Sequence, residues 1–388
     1  MNKNNKHQLS LYVHWPYCEA KCPYCDFNSH VKENIDVDNW ITSFSNQLQT
    51  MRRELLDKNI EFINLNTIFF GGGTPSLMPL EIIENIINIS NTLFSFDKNI
   101  EITLEANPSS YDGKKFIELK KLGVNRISIG IQSLNDRYLK FLGRLHNIKD
   151  VDVALKDATN IFDNVSVDLI YAFHGQNLVD WTNELISFLS NNSLQHLSVY
   201  QLTIEQGTKF FKDYNNGLME IIDNDLASEF YDITNQIISD FEFVKYEVSN
   251  YAKKGFQCIH NLNYWKSENW IGIGPGAHGR LWSSKDNNRI EYQNYKNPKT
   301  WLSKNLNQTE YEKITELNNY ESDTDTLMMG LRLYDGIKIS KLKNKSIINF
   351  NSLKKLEEQK MISLKNNVLK VNKNHMNKLN SIINFLIN

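Results

Sequence analysis

No stretch of this chain is apolar for long enough to span a membrane; the best run, between Ile82 and Ile89, is broken by Glu84, Asn85 and Asn88. The first ten residues are polar and charged and contain no signal-peptide core. Neither sign of charge is in surplus. The 43 Lys and Arg stand against 45 Asp and Glu, and the net charge of −2 gives no general attraction to nucleic acid. There is no internal repeat and no long low-complexity tract. Cysteine is scarce, at four in 388 residues. What is left is a cytosolic globular chain, long enough for one large domain and something smaller, in a compartment where thiols stay reduced.

Three of the four cysteines fall together, in Cys18-Glu-Ala-Lys-Cys22-Pro-Tyr-Cys25, directly after the apolar run Leu11-Tyr-Val-His-Trp-Pro16. A loop this short folds back on itself, so its thiolates can converge on a soft metal or an iron–sulfur cluster. Structural zinc wants four ligands, usually from paired motifs, and Cys258 is far away in sequence; His14 and His30 flank the loop and would complete a Cys3His site. A c-type haem link fails because Asp26, not His, follows Cys25. A thioredoxin-like pair would use Cys22 and Cys25 and leave Cys18 without a role. A cubane cluster on three thiolates accounts for all three and leaves one iron open to another ligand.

Downstream, strands and helices alternate. Strands are expected over 67–70, 101–104, 126–131, 164–170 and 196–202, with helices between them, which argues for a parallel sheet. The unusual polar and glycine residues follow successive strands: Cys18, then the Gly71-Gly-Gly-Thr-Pro75 turn, then Glu105, then Gln132. An assembly of this kind at the C-terminal rim belongs to a barrel, whereas an open sheet gathers its site at one switch point. Six repeats predict a partial (β/α)6 TIM-like barrel with an open side over 1–205. A β-containing extension follows over 206–293, in which 241–248 alternates like a strand. The remainder, 294–388, ends in helices and a hairpin around Asn366-Asn367 and is expected to form a small winged-helix-like unit. Its lysines (Lys341, Lys343, Lys345, Lys354, Lys355 and Lys360) are read as a solvated face rather than a DNA surface.

The triple glycine strips side chains away and lets backbone approach a ligand at Gly72, Gly73 and Thr74. A tight turn is the alternative to this reading, and a phosphate loop fits less well because no Gly-Lys-Ser/Thr follows. Glu105 can accept hydrogen bonds from an amine or a ribose. Gln132, Arg144 and Asp168 are individually ordinary, although Arg144 suits bidentate pairing with a carboxylate. Farther on, His260-Asn-Leu-Asn-Tyr-Trp265 sets an imidazole beside two large aromatics. That fits an axial haem ligand with stacking rings, and it equally fits a histidine hydrogen-bonded within an aromatic core.

Taken together, these motifs resemble the radical S-adenosylmethionine (SAM) superfamily. Within it they resemble the family of oxygen-independent coproporphyrinogen III oxidases and HemW haem chaperones, on Tyr12-Val-His-Trp-Pro-Tyr-Cys18 and Cys22-Pro-Tyr-Cys-Asp-Phe27. The resemblance implies that Cys18, Cys22 and Cys25 hold a [4Fe-4S] cluster. It implies that SAM is met by Gly72, Gly73, Thr74, Glu105 of Glu-Ala-Asn-Pro108, Gln132 of Gly-Ile-Gln-Ser133, Arg144, Asp168 and the backbone of Tyr12. Backbone of the run Ile271-Gly-Ile-Gly-Pro-Gly-Ala-His-Gly279 would also face the adenosine end. His260 would bind haem. The family's oxidases carry a further cysteine where this chain has Phe27, and a phenyl ring can replace neither a ligand nor a hydrogen donor, so the resemblance favours a haem chaperone over a decarboxylating oxidase and leaves enzymatic activity open. A second departure is Tyr171-Ala-Phe-His-Gly-Gln176, where the family has Tyr-Gly-Leu-Pro-Gly-Gln. The implied partners are haem, a membrane haemoprotein acceptor such as a respiratory enzyme reached at the membrane surface, an electron donor if SAM is cleaved, and a second copy of the chain as a homodimer. Nucleic acid is not among them.

Overall fold

A computed structural model describes residues 7–31, 34–60, 62–283, 288–307 and 309–387. Of the polar N-terminal segment, residues 1–6 lie outside these, as does Gln308 at the end of the polar connector. The chain opens on β1 (His7–Trp15) and a small clip of β2 (Tyr17–Cys18) and β3 (His30–Val31), which brackets the thiol loop. The repeating units follow: α1 (Val37–Asp57), β4 (Phe62–Gly72), α2 (Leu80–Phe94), β5 (Phe96–Ala106), α3 (Gly113–Lys121), β6 (Arg126–Gln132), α4 (Asp136–Phe141), α5 (Ile148–Ile161), β7 (Asn164–Tyr171), α6 (Leu178–Asn191) and β8 (His196–Gln201). Local chemistry sets several helix starts. Asp36 caps α1, Asn177 caps α6, and Asn147 with Asp150 forms a reciprocal capping box on α5.

Strands β1, β4, β5, β6, β7 and β8 lie side by side and parallel in that order. Parallel strands covered on both faces usually read as continuous apolar runs. Here they alternate. Leu9, Leu11 and Val13, Ile68 and Phe70, Ile102 and Leu104, Ile127 and Ile129, and Val165 and Val167 are buried in one large apolar core. The interleaved Ser10, Tyr12, Thr67, Glu101, Thr103, Arg126, Ser128, Ser166 and Asp168 take the opposite face, as the period of two requires. This polar face is the inner one, because residues ending strands from both halves of the sheet meet in a single cavity.

The extension departs from expectation in two respects. Residues 241–248 yield only the two-residue β9 (Val244–Lys245), since Phe241 ends α8 (Asn224–Asp240) and Glu242 has φ 66°, outside the extended region. After α7 (Lys209–Asn215), α8 and β10 (Asn250–Ala252), the motif helix α9 (Ile259–Trp265) leads into β11 (Asn269–Ile273). This strand pairs parallel with β1 and adds a seventh member to the parallel run. Antiparallel β12 (His278–Trp282), β13 (Arg289–Gln293) and β14 (Lys313–Leu317) continue that edge, while β10 and β9 continue the other, so the twelve-stranded sheet does not close on itself.

Helix α10 (Pro298–Asn307) belongs by packing to the first core: Trp301 stacks with Trp40 at 5.3 Å, and Trp40 meets Trp15 at 4.9 Å. A separate apolar core begins at Leu327 in α11 (Asn319–Gly330). It also holds β15 (Ile337–Lys338), α12 (Phe350–Glu358), β16 (Ile362–Lys365), β17 (Val368–Val371) and α13 (Leu379–Leu386), with β17 central in a three-stranded antiparallel sheet. Among the described residues no helix is long and apolar enough to cross a membrane.

Trp40 is 1% exposed at the centre of the indole stack that joins α1, β1 and α10. Replacing Trp40 with Ala is expected to destabilise the barrel by about 3–5 kcal/mol, seen as a lower urea midpoint in tryptophan fluorescence with the C-terminal unit's helical signal melting separately.

Candidate functional site

The site is built where the thiol loop meets the end of β4. Gly73 donates its N–H to Trp15 O at 2.7 Å and Thr74 to Tyr17 O at 2.8 Å, so the glycine turn and the loop lie backbone to backbone. A Cβ on Gly73 would stand 2.6 Å from Tyr17 O, and Gly72 has φ 107°, so both positions need glycine. The approach sets Thr74 Oγ1 3.4 Å from Cys18 Sγ. Arg144 ties the other end of the loop to the rim. Its Nη1 donates to Cys22 Sγ at 3.5 Å, and its Nη2 to Asn107 Oδ1 at 2.5 Å and Gly130 O at 2.8 Å. Cys25 Sγ lies 3.9 Å from Ser29 Oγ. Burial pushes the Cys18 and Cys25 thiols up, and the hydroxyl contacts at Thr74 and Ser29 act in the opposite direction.

One cavity of about 430 Å³ is lined by Cys18, Cys22, Cys25, Phe27, Gly72, Gly73, Thr74, Glu105, Gln132, Arg144 and Asp168. Ten residues expected at the site from sequence therefore share one wall system, and the ends of β2, β4, β5, β6, β7 and β8 converge on it. Gln132 holds φ 73°, a strained value for a non-glycine residue that turns its amide at the end of β6. Burial, and then the neighbouring Asp168 charge, push the Glu105 carboxyl up to about 8; the Gly72 N–H and Arg126 oppose the rise. Burial raises Asp168 as well, against hydrogen bonds from Ser198 and Ser128. Two partly buried carboxyls beside thiols make a pocket suited to a polar ligand bearing an amine or hydroxyls.

Tyr12 and His260 lie elsewhere. Tyr12 stacks on Phe69 at 6.4 Å, one layer below the glycine turn, with its hydroxyl 3.0 Å from His14 Nδ1. His260 sits deeper in the barrel. Glu101 accepts the N–H groups of Ile259 and His260 at 3.1 and 3.0 Å and anchors the start of α9 inside the floor. The imidazole is 1% exposed. Its Nδ1 is 2.8 Å from Thr67 Oγ1, its Nε2 is 2.7 Å from Tyr264 OH, and its ring stacks on Phe69 at 4.9 Å. Burial lowers its pKa to about 3. The expected presentation of His260 to a macrocycle does not match this geometry, because both nitrogens are engaged and the helix is plugged into the floor. The glycine-rich run also has another place. Gly274 packs against His14 O and Gly276 against Asn28, so the run braces the back of the thiol loop and forms no wall of the cavity.

The donor set discriminates between metals. No three His, Cys, Asp or Glu side chains among the described residues are grouped tightly enough for a single metal ion. His14 is buried with both nitrogens occupied, by Tyr12 OH and by Asn28 O at 2.9 Å, and burial lowers its pKa to about 4. His30 Nε2 faces Asn28 Oδ1 at 3.3 Å. The Cys3His zinc reading therefore lacks its fourth ligand. A cubane offers each thiolate its own iron and suits three thiols spread around one cavity. The buried Nε of Arg144, which has no partner among the described residues, leaves a donor available beside such a group. Cys258 takes no part; it is buried at the floor beside Glu101, and burial raises its thiol to about 12.

Sequence reasoning missed two positions. Asn107 lies inside the Glu105-Ala-Asn-Pro108 motif and anchors Arg144, so its spacing carried the signal. Asn28 carries no motif, yet its side chain donates to Pro275 O and Lys296 O, both at 2.9 Å, and locks the thiol loop to the extension.

The chain is similar to several known proteins. A model of the radical SAM superfamily matches residues 12–186. The "Radical S-adenosyl methionine domain-containing protein 1, mitochondrial" of Dictyostelium discoideum is 35% identical over 98% of this chain and 95% of its own length. "Heme chaperone HemW" of Haemophilus influenzae is 38% identical over 76% of each chain, and that of Escherichia coli 37% over 70% of each. The solved coproporphyrinogen III oxidase (HemN) of Escherichia coli superposes with a TM-score of 0.80 at 16% identity, covering 99% of this chain and 91% of that one, a likeness of fold.

The Glu105 carboxyl carries a pH signature. The unfolded chain ionises it near 4.5 and the folded chain only near 8, so between these values the unfolded state binds fewer protons and stability falls as pH rises. Thermal denaturation of the iron-free protein is expected to show this fall, and Glu105→Gln to flatten it; an unchanged slope in the variant would assign the effect to other groups.

Proposed function

The chain belongs to the radical SAM superfamily, in its HemW-like branch, and from that premise we propose that it is a haem chaperone that hands haem to a membrane haemoprotein, such as a respiratory enzyme. Cys18, Cys22 and Cys25 would hold a [4Fe-4S] cluster. Gly72, Gly73, Thr74, Glu105, Gln132, Arg144 and Asp168 would surround SAM. When bound, the cluster supplies an open iron and an electron, and SAM a sulfonium group. The rest follows from the chain's own residues. Glu105, held ready to ionise near neutral pH, accepts from an amine, and Asp168 accepts from hydroxyls. Arg144 clamps the thiol loop to the rims of β5 and β6 and offers its free Nε to a carboxylate. The glycine turn admits backbone close to the ligand.

The observation that carries the reading is the convergence of three thiols and this polar set on one cavity, with Phe27 at its wall where the resemblance places the oxidases' additional thiol. Phe27 is 58% exposed and offers neither a proton nor a sulfur. We place the protein in the cytosol, where thiols stay reduced and the acceptor's membrane is within reach; the Dictyostelium relative's name places that protein in mitochondria.

Anaerobically reconstituted protein is expected to show a brown iron–sulfur chromophore that is lost in each of Cys18→Ala, Cys22→Ala and Cys25→Ala, to bind ferric haem stoichiometrically, and to pass haem to an apo-haemoprotein without forming protoporphyrinogen. Turnover of coproporphyrinogen with consumption of SAM would make it an oxidase instead. A colourless protein that purifies with zinc would sink both readings.

A further inference from the structure

Two of the three thiols are joined by an unbroken run of hydrogen bonds that passes through Asn107. Arg144 donates from Nη1 to Cys22 Sγ at 3.5 Å and from Nη2 to Asn107 Oδ1 at 2.5 Å. Asn107 Nδ2 donates to Thr74 Oγ1 at 3.0 Å, and Thr74 Oγ1 donates to Cys18 Sγ at 3.4 Å. The middle of the run is held in place. Asn107 O accepts from the N–H and the hydroxyl of Ser110, both at 3.1 Å. A Cβ on Gly130 would stand 3.1 Å from Asn107 Oδ1, so glycine there leaves the amide its room. Cys25 is outside the run, with Ser29 as its neighbour. Across the loop a second, outer cavity of about 960 Å³, lined by Phe141 and Phe210 among others, also reaches Cys22 and Cys25, so the run grips the loop from its inner side.

The chemistry of the donors admits one direction only. Arginine has donors and no acceptor, so Asn107 must turn Oδ1 toward Arg144 and its NH2 group toward Thr74. The Thr74 oxygen accepts that N–H, and its single proton is left for Cys18 Sγ. The guanidinium charge thus aligns an amide and a hydroxyl in series, each with its positive end toward the sulfur. Thr74 is buried, and hydrogen bonds in a chain polarise one another most where water is excluded. Arg144 and Thr74 already have places around SAM. Asn107 has none, and it joins the two.

Resting on the reading of Cys18, Cys22 and Cys25 as cluster ligands, we propose that Asn107 is a positioning residue that sets the cluster's reduction potential, by fixing the Thr74 proton on Cys18 while Arg144 serves Cys22. Hydrogen bonds to the sulfurs are among the levers that set the potential of an iron–sulfur cluster. An added electron brings negative charge that the thiolates share, so donors aimed at them stabilise the reduced form and raise the potential. Removing a donor lowers it. One amide governs this for Cys18 and braces the arginine that does it for Cys22.

The test is a mediated redox titration of the anaerobically reconstituted, SAM-free protein, in which dithionite gives up the electron that the cluster gains. The reduced cluster is followed by electron paramagnetic resonance, and iron content checks the loading. At a fixed ambient potential the reduced-to-oxidised ratio is expected to fall by about tenfold in Asn107→Leu and in Thr74→Val, the worth of one lost hydrogen bond to a charged group. Thr74→Ser keeps the hydroxyl and the parent's ratio. The double variant Thr74→Val, Asn107→Leu shifts no further than Thr74→Val, because both changes remove the same bond. Where Asn107→Leu holds no cluster, Asn107→Asp takes its place in the same cycle, since the carboxylate keeps Arg144 but turns the Thr74 proton away from Cys18. An unchanged ratio in the Asn107 variant overturns the relay. Additive shifts in the double variant do so too, because they assign the effect to Arg144 alone. Both results leave the cluster reading standing. A parent protein that shows no cluster signal overturns both.

Discussion

The backbone contact between the glycine turn and the start of the thiol loop is the constraint on which the site depends. Two N–H groups of Gly73 and Thr74 reach carbonyls of Trp15 and Tyr17, and a single Cβ on Gly73 would push these segments apart. From this contact follow the nearness of Thr74 to Cys18 and the common wall of thiols and Glu105. Arg144 then closes the far end by holding Cys22, Asn107 and Gly130 together. A loop tied at both ends loses little further freedom when a ligand arrives, which is the physical meaning of preorganisation at such a site.

The inward polar face of the sheet explains both how this site is possible and what it demands of the rest of the barrel. Burying Glu101 and His196 inside a parallel sheet is unfavourable unless partners are supplied. The extension supplies them: the start of α9 gives N–H groups to Glu101, and Tyr246 OH meets His196 Nε2 at 2.8 Å. Helix α9 is thus a polar plug that completes the barrel interior, and its aromatic neighbours stack within that plug. The cavity above it stays open because the strand ends there carry glycine and carboxyl residues instead of apolar bulk.

Much of this was legible in the sequence because short-range spacing carries it. Three cysteines in one loop, three glycines after a strand and polar residues at successive strand ends all express local geometry, and the structure gathers them into one cavity. What spacing cannot say is which partner a side chain finds from across the fold. His260 carries a conspicuous motif, yet its fate is decided by Thr67 on a strand far away in sequence. Asn28 carries no motif, yet it fixes the thiol loop against residues 275 and 296. Alternation over 241–248 misled for a related reason: the turn at Glu242 leaves only Val244 and Lys245 in the sheet, and Phe241 and Phe243 pack into the first core instead.

A shared fold with an oxidase decides little about chemistry, since one scaffold hosts many activities. The discriminating features are at the thiol loop. Phe27 puts an unreactive ring at the mouth of the inner cavity, and the same loop forms the wall between that cavity and the outer one. Cys22 and Cys25 face both. Whatever orders the loop from the inner side therefore shapes the bed on the outer side, through Pro23 and its bond to Phe210. If both cavities take ligands, their affinities are linked through this loop, and by reciprocity each must change the other by the same factor.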